Sequence, residues 1–162
     1  MSEFPTFLEA QNELETLDLS KNNIEGNIPK WFWNVGEERL QYLNLSYNLL
    51  SKFEQPLVVL PWKYMYCLDL SSNMLQGSFP IPPLSTNYFF ASKNNFTGSI
   101  PPMICKAHAL VVLDVSNNQL TGQIPQCLLN LSNSLVVLAM QNNHFQGNLP
   151  ETFINGDRKS VV

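Results

Sequence analysis

The chain has 162 residues, a formal net charge of −4, 44% hydrophobic residues and only 14% charged ones. That length fits one compact domain or one repeat array, and this balance excludes a charge-rich disordered chain. No cluster of lysine and arginine offers a footprint for nucleic acid or an anionic membrane surface, and no apolar run approaches the roughly 18 residues of a membrane span.

The first residues, Met1 to Pro5, lack the basic region and apolar stretch of a secretory signal. After them one eleven-residue frame recurs in phase. Leu14, Leu17, Leu19, Ser20 and Asn22 open the first copy, and Ile24, Gly26, Ile28 and Pro29 close it. The second copy has Leu40, Leu43, Leu45, Ser46, Asn48 and Leu50, but runs from Ser51 to Pro56 without the closing glycine and isoleucine. Its outer edge is expected to be irregular. The third is Met65, Leu68, Leu70, Ser71, Asn73, Leu75, Gly77, Phe79 and Pro80. A shorter fourth copy places Phe90 and Ala91 in its strand and continues through Asn94, Phe96, Gly98 and Pro101. Leu110 to Pro125 and Leu135 to Pro150 complete the series. The anchoring asparagines Asn22, Asn48, Asn73, Asn94, Asn118 and Asn143 are separated by 26, 25, 21, 24 and 25 residues.

Each frame alternates apolar and polar residues before its serine, so Leu17 and Leu19 face one way and Asp18 the other. That predicts a short strand with one buried face. A lone unit cannot bury such a face, whereas stacked units can, and their strands then form a parallel sheet. The tight turn after each strand leaves main-chain groups inside. An asparagine amide both donates and accepts, so an inward column from Asn22 to Asn143 satisfies them. Glycine allows the following turn and proline ends the pairing. The residues after each proline suit a short 3₁₀ or irregular convex side.

These motifs, with Phe4-Pro5, Ile28-Pro29 before Trp31 and Trp33, Gly77 to Pro83, and Cys105 and Cys127, resemble the plant extracellular leucine-rich repeat family. The likeness is nearest to the ectodomain repeats of plant receptor-like proteins. The implied fold is an α/β leucine-rich-repeat solenoid with a concave parallel β-sheet, an irregular or 3₁₀ convex side and little helix. The expected organisation is a single array of about six repeats over 1–162, truncated at both ends. The resemblance implies a ligand- or protein-binding part of a cell-surface receptor, in defence or developmental signalling, without catalysis or cofactor. It also implies a protein or peptide ligand, a co-receptor, and an extracellular location at the plasma membrane, with the membrane reached only through flanking segments. The alternative is a soluble extracellular inhibitor of a microbial wall-degrading enzyme.

Within that frame, Asn44, Asn95 and Asn130 sit in acceptor motifs for N-glycosylation; the first two also follow from the repeat pattern itself. Cys105 and Cys127 occupy similar places on adjacent convex segments, within reach of a disulfide or else buried as free thiols. Cys67 is expected to be unpaired. His108 and His144 gather no partners for metal or nucleophilic chemistry. Asp18, Asp69 and Asp114 share a column that ordinary repeat grammar explains. Trp31 and Trp33 are expected to pack on the convex side. Tyr42, Tyr66, Tyr88 and Phe90 project from three adjacent strands on the outward face. They are the candidate binding cluster, with cross-strand packing as the other reading.

Overall fold

The computed structural model describes residues 3–36, 38–130, 134–147 and 160–161. Short strands of two parallel sets alternate along the chain. They are β1 (Thr16–Asp18), β2 (Glu25–Ile28), β3 (Tyr42–Asn44), β4 (Leu49–Phe53), β5 (Cys67–Asp69), β6 (Gln76–Ser78), β7 (Tyr88–Phe90), β8 (Asn95–Gly98), β9 (Val112–Asp114), β10 (Gln119–Gly122), β11 (Val137–Ala139), β12 (His144–Phe145) and β13 (Ser160–Val161). The odd-numbered strands form one parallel sheet in the order β1-β3-β5-β7-β9-β11-β13. The 3₁₀ turns Thr6–Ala10, Lys30–Asn34 and Pro102–Lys106, and the helix Gln126–Asn130, lie on the opposite side of the coils.

The register of this sheet follows from the leucine spacing. Leu17, Leu43, Leu68, Phe89, Leu113 and Leu138 stand in one row. Leu43, Leu68, Phe89 and Leu113 are completely buried. Each coil stacks its apolar row on the next, so burial that no single coil could achieve becomes continuous. Phe89 stands where the other coils have leucine, and Phe79 and Phe96 pack around it at 5.7 Å from Phe79 to each ring.

The even-numbered strands depart from the sequence-based expectation. The segment after each asparagine does not merely turn. It forms a second set of parallel strands, β12-β10-β8-β6 and β2-β4. The signal was a period of two: Asn95 and Thr97 are exposed and Phe96 between them is buried, and Gln119, Leu120 and Thr121 repeat the pattern. The second copy, expected to be irregular here, contributes β4, which pairs with β2 through a register shift at Gly26 and Asn27. The irregularity begins only after Phe53. In the fourth copy Phe90 ends the strand and Ala91 lies just beyond it.

The asparagines join the coils. Asn73 donates to the Leu45 carbonyl of the preceding coil at 2.9 Å and to its own Leu70 carbonyl at 3.1 Å, while its Oδ1 accepts from the Leu50 N–H at 3.1 Å. Asn48, Asn94, Asn118 and Asn143 repeat the pattern toward Leu19, Leu70, Ala91 and Val115. Asn22 departs from the expected inward column: it is exposed, its amide donates to the Leu19 and Ser20 carbonyls of its own coil, and its main-chain N–H donates to Asn48 Oδ1 at 3.2 Å. The residue before each asparagine is left-handed, from Lys21 at φ 58° to Asn142 at φ 57°. That conformation is uncommon for side-chain-bearing residues, and here the asparagine amide bonds hold the turn on both sides.

Two further ties close the convex side. Cys105 and Cys127 form a disulfide between the 3₁₀ turn Pro102–Lys106 and the helix Gln126–Asn130, with Cα atoms 5.5 Å apart. Near the other end Phe4, Trp31, Phe32, Trp33 and Trp62 pack edge to face, Phe53 lies tilted against Trp33, and the Trp62 indole donates to the Val35 carbonyl at 3.0 Å. Trp31, half-buried, and Trp33, buried, are therefore parts of a packed aromatic cluster.

Candidate functional site

The concave sheet presents two rows of outward side chains, one on each side of the buried leucine row. The first runs Thr16, Tyr42, Cys67, Tyr88, Val112, Val137; the second runs Asp18, Asn44, Asp69, Phe90, Asp114, Ala139. Tyr88 and Phe90 therefore belong to different rows of the same strand. Tyr66 precedes β5 by one residue, is 51% exposed, and sets its ring edge against Tyr88 at 5.3 Å between centroids. Tyr42 is half-buried and separated from Tyr88 along its row by Cys67. Tyr42 and Tyr88 thus flank Cys67 while Phe90 stands beside Asp69 in the other row, so the four aromatics do not form an unbroken sheet of rings.

The acidic row is built locally. Asp18, Asp69 and Asp114 accept the N–H of the serine two residues on, at 2.8, 2.8 and 3.0 Å. Asn44 does the same for Ser46 at 3.0 Å, and its amide donates to the Asp18 carboxylate at 3.3 Å and to the Tyr42 hydroxyl at 3.5 Å. The Ser20 bonds lower the pKa of Asp18 below the ordinary carboxylate value. Asp69 moves the other way: burial raises its pKa most, the negative charges of Asp114 and Asp18 add to this, and the bonds from Ser71 only partly oppose it. The Cys67 thiol is pushed up to about 11 by burial and by Asp69, so it stays protonated and a poor nucleophile at neutral pH. Burial likewise raises the Tyr42 phenol.

The remaining sequence candidates scatter. The Asn44 amide is engaged as just described, Asn95 is exposed on β8, and the Asn130 side chain lies outside the described residues. His108 follows the 3₁₀ turn on the convex side and His144 begins β12, both exposed. Among the described residues no group of histidine, cysteine and carboxylate side chains is placed to hold a metal ion, and no helix is long and apolar enough to cross a membrane. Sequence reasoning missed Gly36, held at φ 56° with a would-be Cβ 2.5 Å from the Leu14 carbonyl oxygen; only a lone glycine outside the repeat frame marked it.

A parallel sheet of leucine rows, laced by asparagines and open on its polar face, defines a leucine-rich-repeat solenoid. The Leucine Rich Repeat family matches residues 13–35, 39–59 and 109–131. Receptor-like protein 7 and Receptor-like protein 6 of Arabidopsis thaliana are 42% and 46% identical over 81% and 78% of this chain. The chain spans 13% and 12% of the length of those two relatives. The ectodomain of the Arabidopsis receptor kinase HAESA, solved with an IDA peptide hormone ligand, superposes with a TM-score of 0.82 at 28% identity over 99% of this chain and 27% of its own. The chain is a plant-type leucine-rich repeat protein, and its repeats resemble those of plant receptor-like protein ectodomains.

Proposed function

We propose that this chain is a ligand-binding stretch of a plant receptor-like protein ectodomain, displayed outside the cell at the plasma membrane. It takes up a peptide or protein segment, in defence or developmental signalling, and carries out no chemistry of its own. A co-receptor completes the signalling complex. The observation that carries the reading is the Tyr66–Tyr88 pair beside Phe90, on strands held rigid from beneath by the leucine rows. Rigid aromatic rings give contact area at low entropic cost, and the polar tips beside Asp69 and Asn44 supply hydrogen-bonding partners. The peptide-bound HAESA ectodomain, of the same fold, supports a peptide as the ligand class.

The test uses a peptide selected from a random library for binding to the wild-type chain. Tyr88→Ala and Phe90→Ala should each weaken that peptide at least about fivefold, the loss of a typical hot spot. Met103→Ala, on the convex 3₁₀ turn, should leave affinity unchanged. Unchanged affinity in both concave variants, with folding intact by circular dichroism, refutes the assignment of the aromatic site.

A further inference from the structure

The second sheet has one break among the described residues. β4 ends the β2-β4 pair and β6 ends the β12-β10-β8-β6 sheet, so two strand edges that succeed one another in the stack stand unpaired. The coils touch where these strands begin, through the Met74 N–H and the Leu50 carbonyl at 2.9 Å. They meet again beyond, where Ile81 donates to Val58 at 2.8 Å and Leu60 donates to Ile81 at 3.0 Å. Between these points lies a groove of about 670 Å³, lined by Lys52, Phe53, Leu57, Val58, Gly77 and Phe79 among others. It coincides with the missing closing motif of the second copy: β4 ends at Phe53, and Pro56, Leu57 and Val58 line the groove in place of a strand paired to β6.

Apolar walls alone would suit any hydrocarbon. The strand edges add a second demand, because an edge presents main-chain N–H and C=O groups that only another extended backbone satisfies in sequence. Gly77 adds no side chain to the groove wall, and no atom lies within 4 Å of where its Cβ would stand. Charge sets a third condition. Lys52 is exposed at the groove and, among the described residues, has no carboxylate within ion-pair distance. Its neighbour Glu54 instead accepts the Lys30 N–H at 2.9 Å. We propose that this groove is a second binding site, separate from the concave face, for an extended apolar peptide segment whose carboxylate pairs with Lys52.

The probe is an N-acetylated pentapeptide of alternating valine and phenylalanine with a free C-terminal carboxylate, compared with its C-terminal amide and with dodecanoate. On the full chain the acid should protect the amides of residues 76–78 from hydrogen exchange. It should bind about 2- to 5-fold more tightly than the amide, the range of an exposed ion pair. Lys52→Gln, a surface change that leaves folding intact, should remove that preference, and Leu57→Trp should fill the groove and abolish binding. The proposal is overturned if the acid does not bind, if protection falls on residues 88–90 instead, if dodecanoate protects residues 76–78 equally, or if Lys52→Gln keeps the preference.

Discussion

Replacing Asn94 by alanine isolates what the asparagine column does. Asn94 is 6% exposed, its amide donates to the Leu70 carbonyl at 2.9 Å, and its Oδ1 accepts from the Leu75 N–H at 3.0 Å. It also reaches the Ala91 carbonyl at 3.3 Å, but that oxygen keeps a donor in Asn118 at 3.0 Å. The Leu70 carbonyl likewise keeps a donor in Asn73 at 3.1 Å, so alanine orphans one buried main-chain group, the Leu75 N–H. At about 1–3 kcal/mol for an orphaned buried group, the loss should be about 2 kcal/mol. Asn22→Ala is the internal control. Asn22 is exposed, and the Leu19 carbonyl it bonds is also served by Asn48 at 2.9 Å. Its removal should be felt by less than about 1 kcal/mol. Urea denaturation followed by circular dichroism measures both, and hydrogen exchange at Leu75 reports the orphaned donor directly. Equal midpoints for the two variants, or unaltered protection at Leu75, would refute the bridging role.

Other perturbations follow from the same geometry. Gly36→Ala should destabilise by at least about 2 kcal/mol in the same denaturation assay, since it places a Cβ against the Leu14 carbonyl in a left-handed residue. Opening the Cys105–Cys127 link by Cys127→Ser should lower stability by up to about 3 kcal/mol for the 22-residue separation, with no such effect from Cys67→Ser. The folded-state pKa of Asp69 is raised by burial, so the folded chain holds its proton more tightly than the unfolded one. Stability contributed by that proton is present at low pH and lost as pH climbs past 3.8 toward the folded value, and Asp69→Asn should flatten this decline in pH-dependent unfolding. With its thiol held near 11, Cys67 should react with iodoacetamide at pH 8 far more slowly in the folded than in the unfolded chain.

The concave sheet was legible because its determinants are local and repeated. Leu17, Leu43, Leu68, Leu113 and Leu138 advertise one buried row, and the phase of the asparagines shows that the coils superpose. The second sheet was harder to read, because the period of two spans only three or four residues and overlaps the glycine that looks like a turn. The leucine frame also aligns Tyr42 with Cys67, as the strand pairing does. What the sequence could not show was which rings touch: Tyr66, one residue outside β5, reaches across to set its edge against Tyr88. The groove beside Lys52 was equally hidden. A missing glycine predicts irregularity, but only packing decides whether the gap closes or stays open.

The proposed ligand contacts lie on the aromatic part of the concave face. Photo-cross-linking tests this placement most directly: p-benzoylphenylalanine at position 66 or at position 103, with a peptide selected for binding to the wild-type chain, and the adducts mapped by mass spectrometry. Strong cross-linking is expected from position 66, lost on competition with unlabelled peptide, with none above background from position 103. Specific cross-linking from position 103 with none from position 66 would contradict this placement.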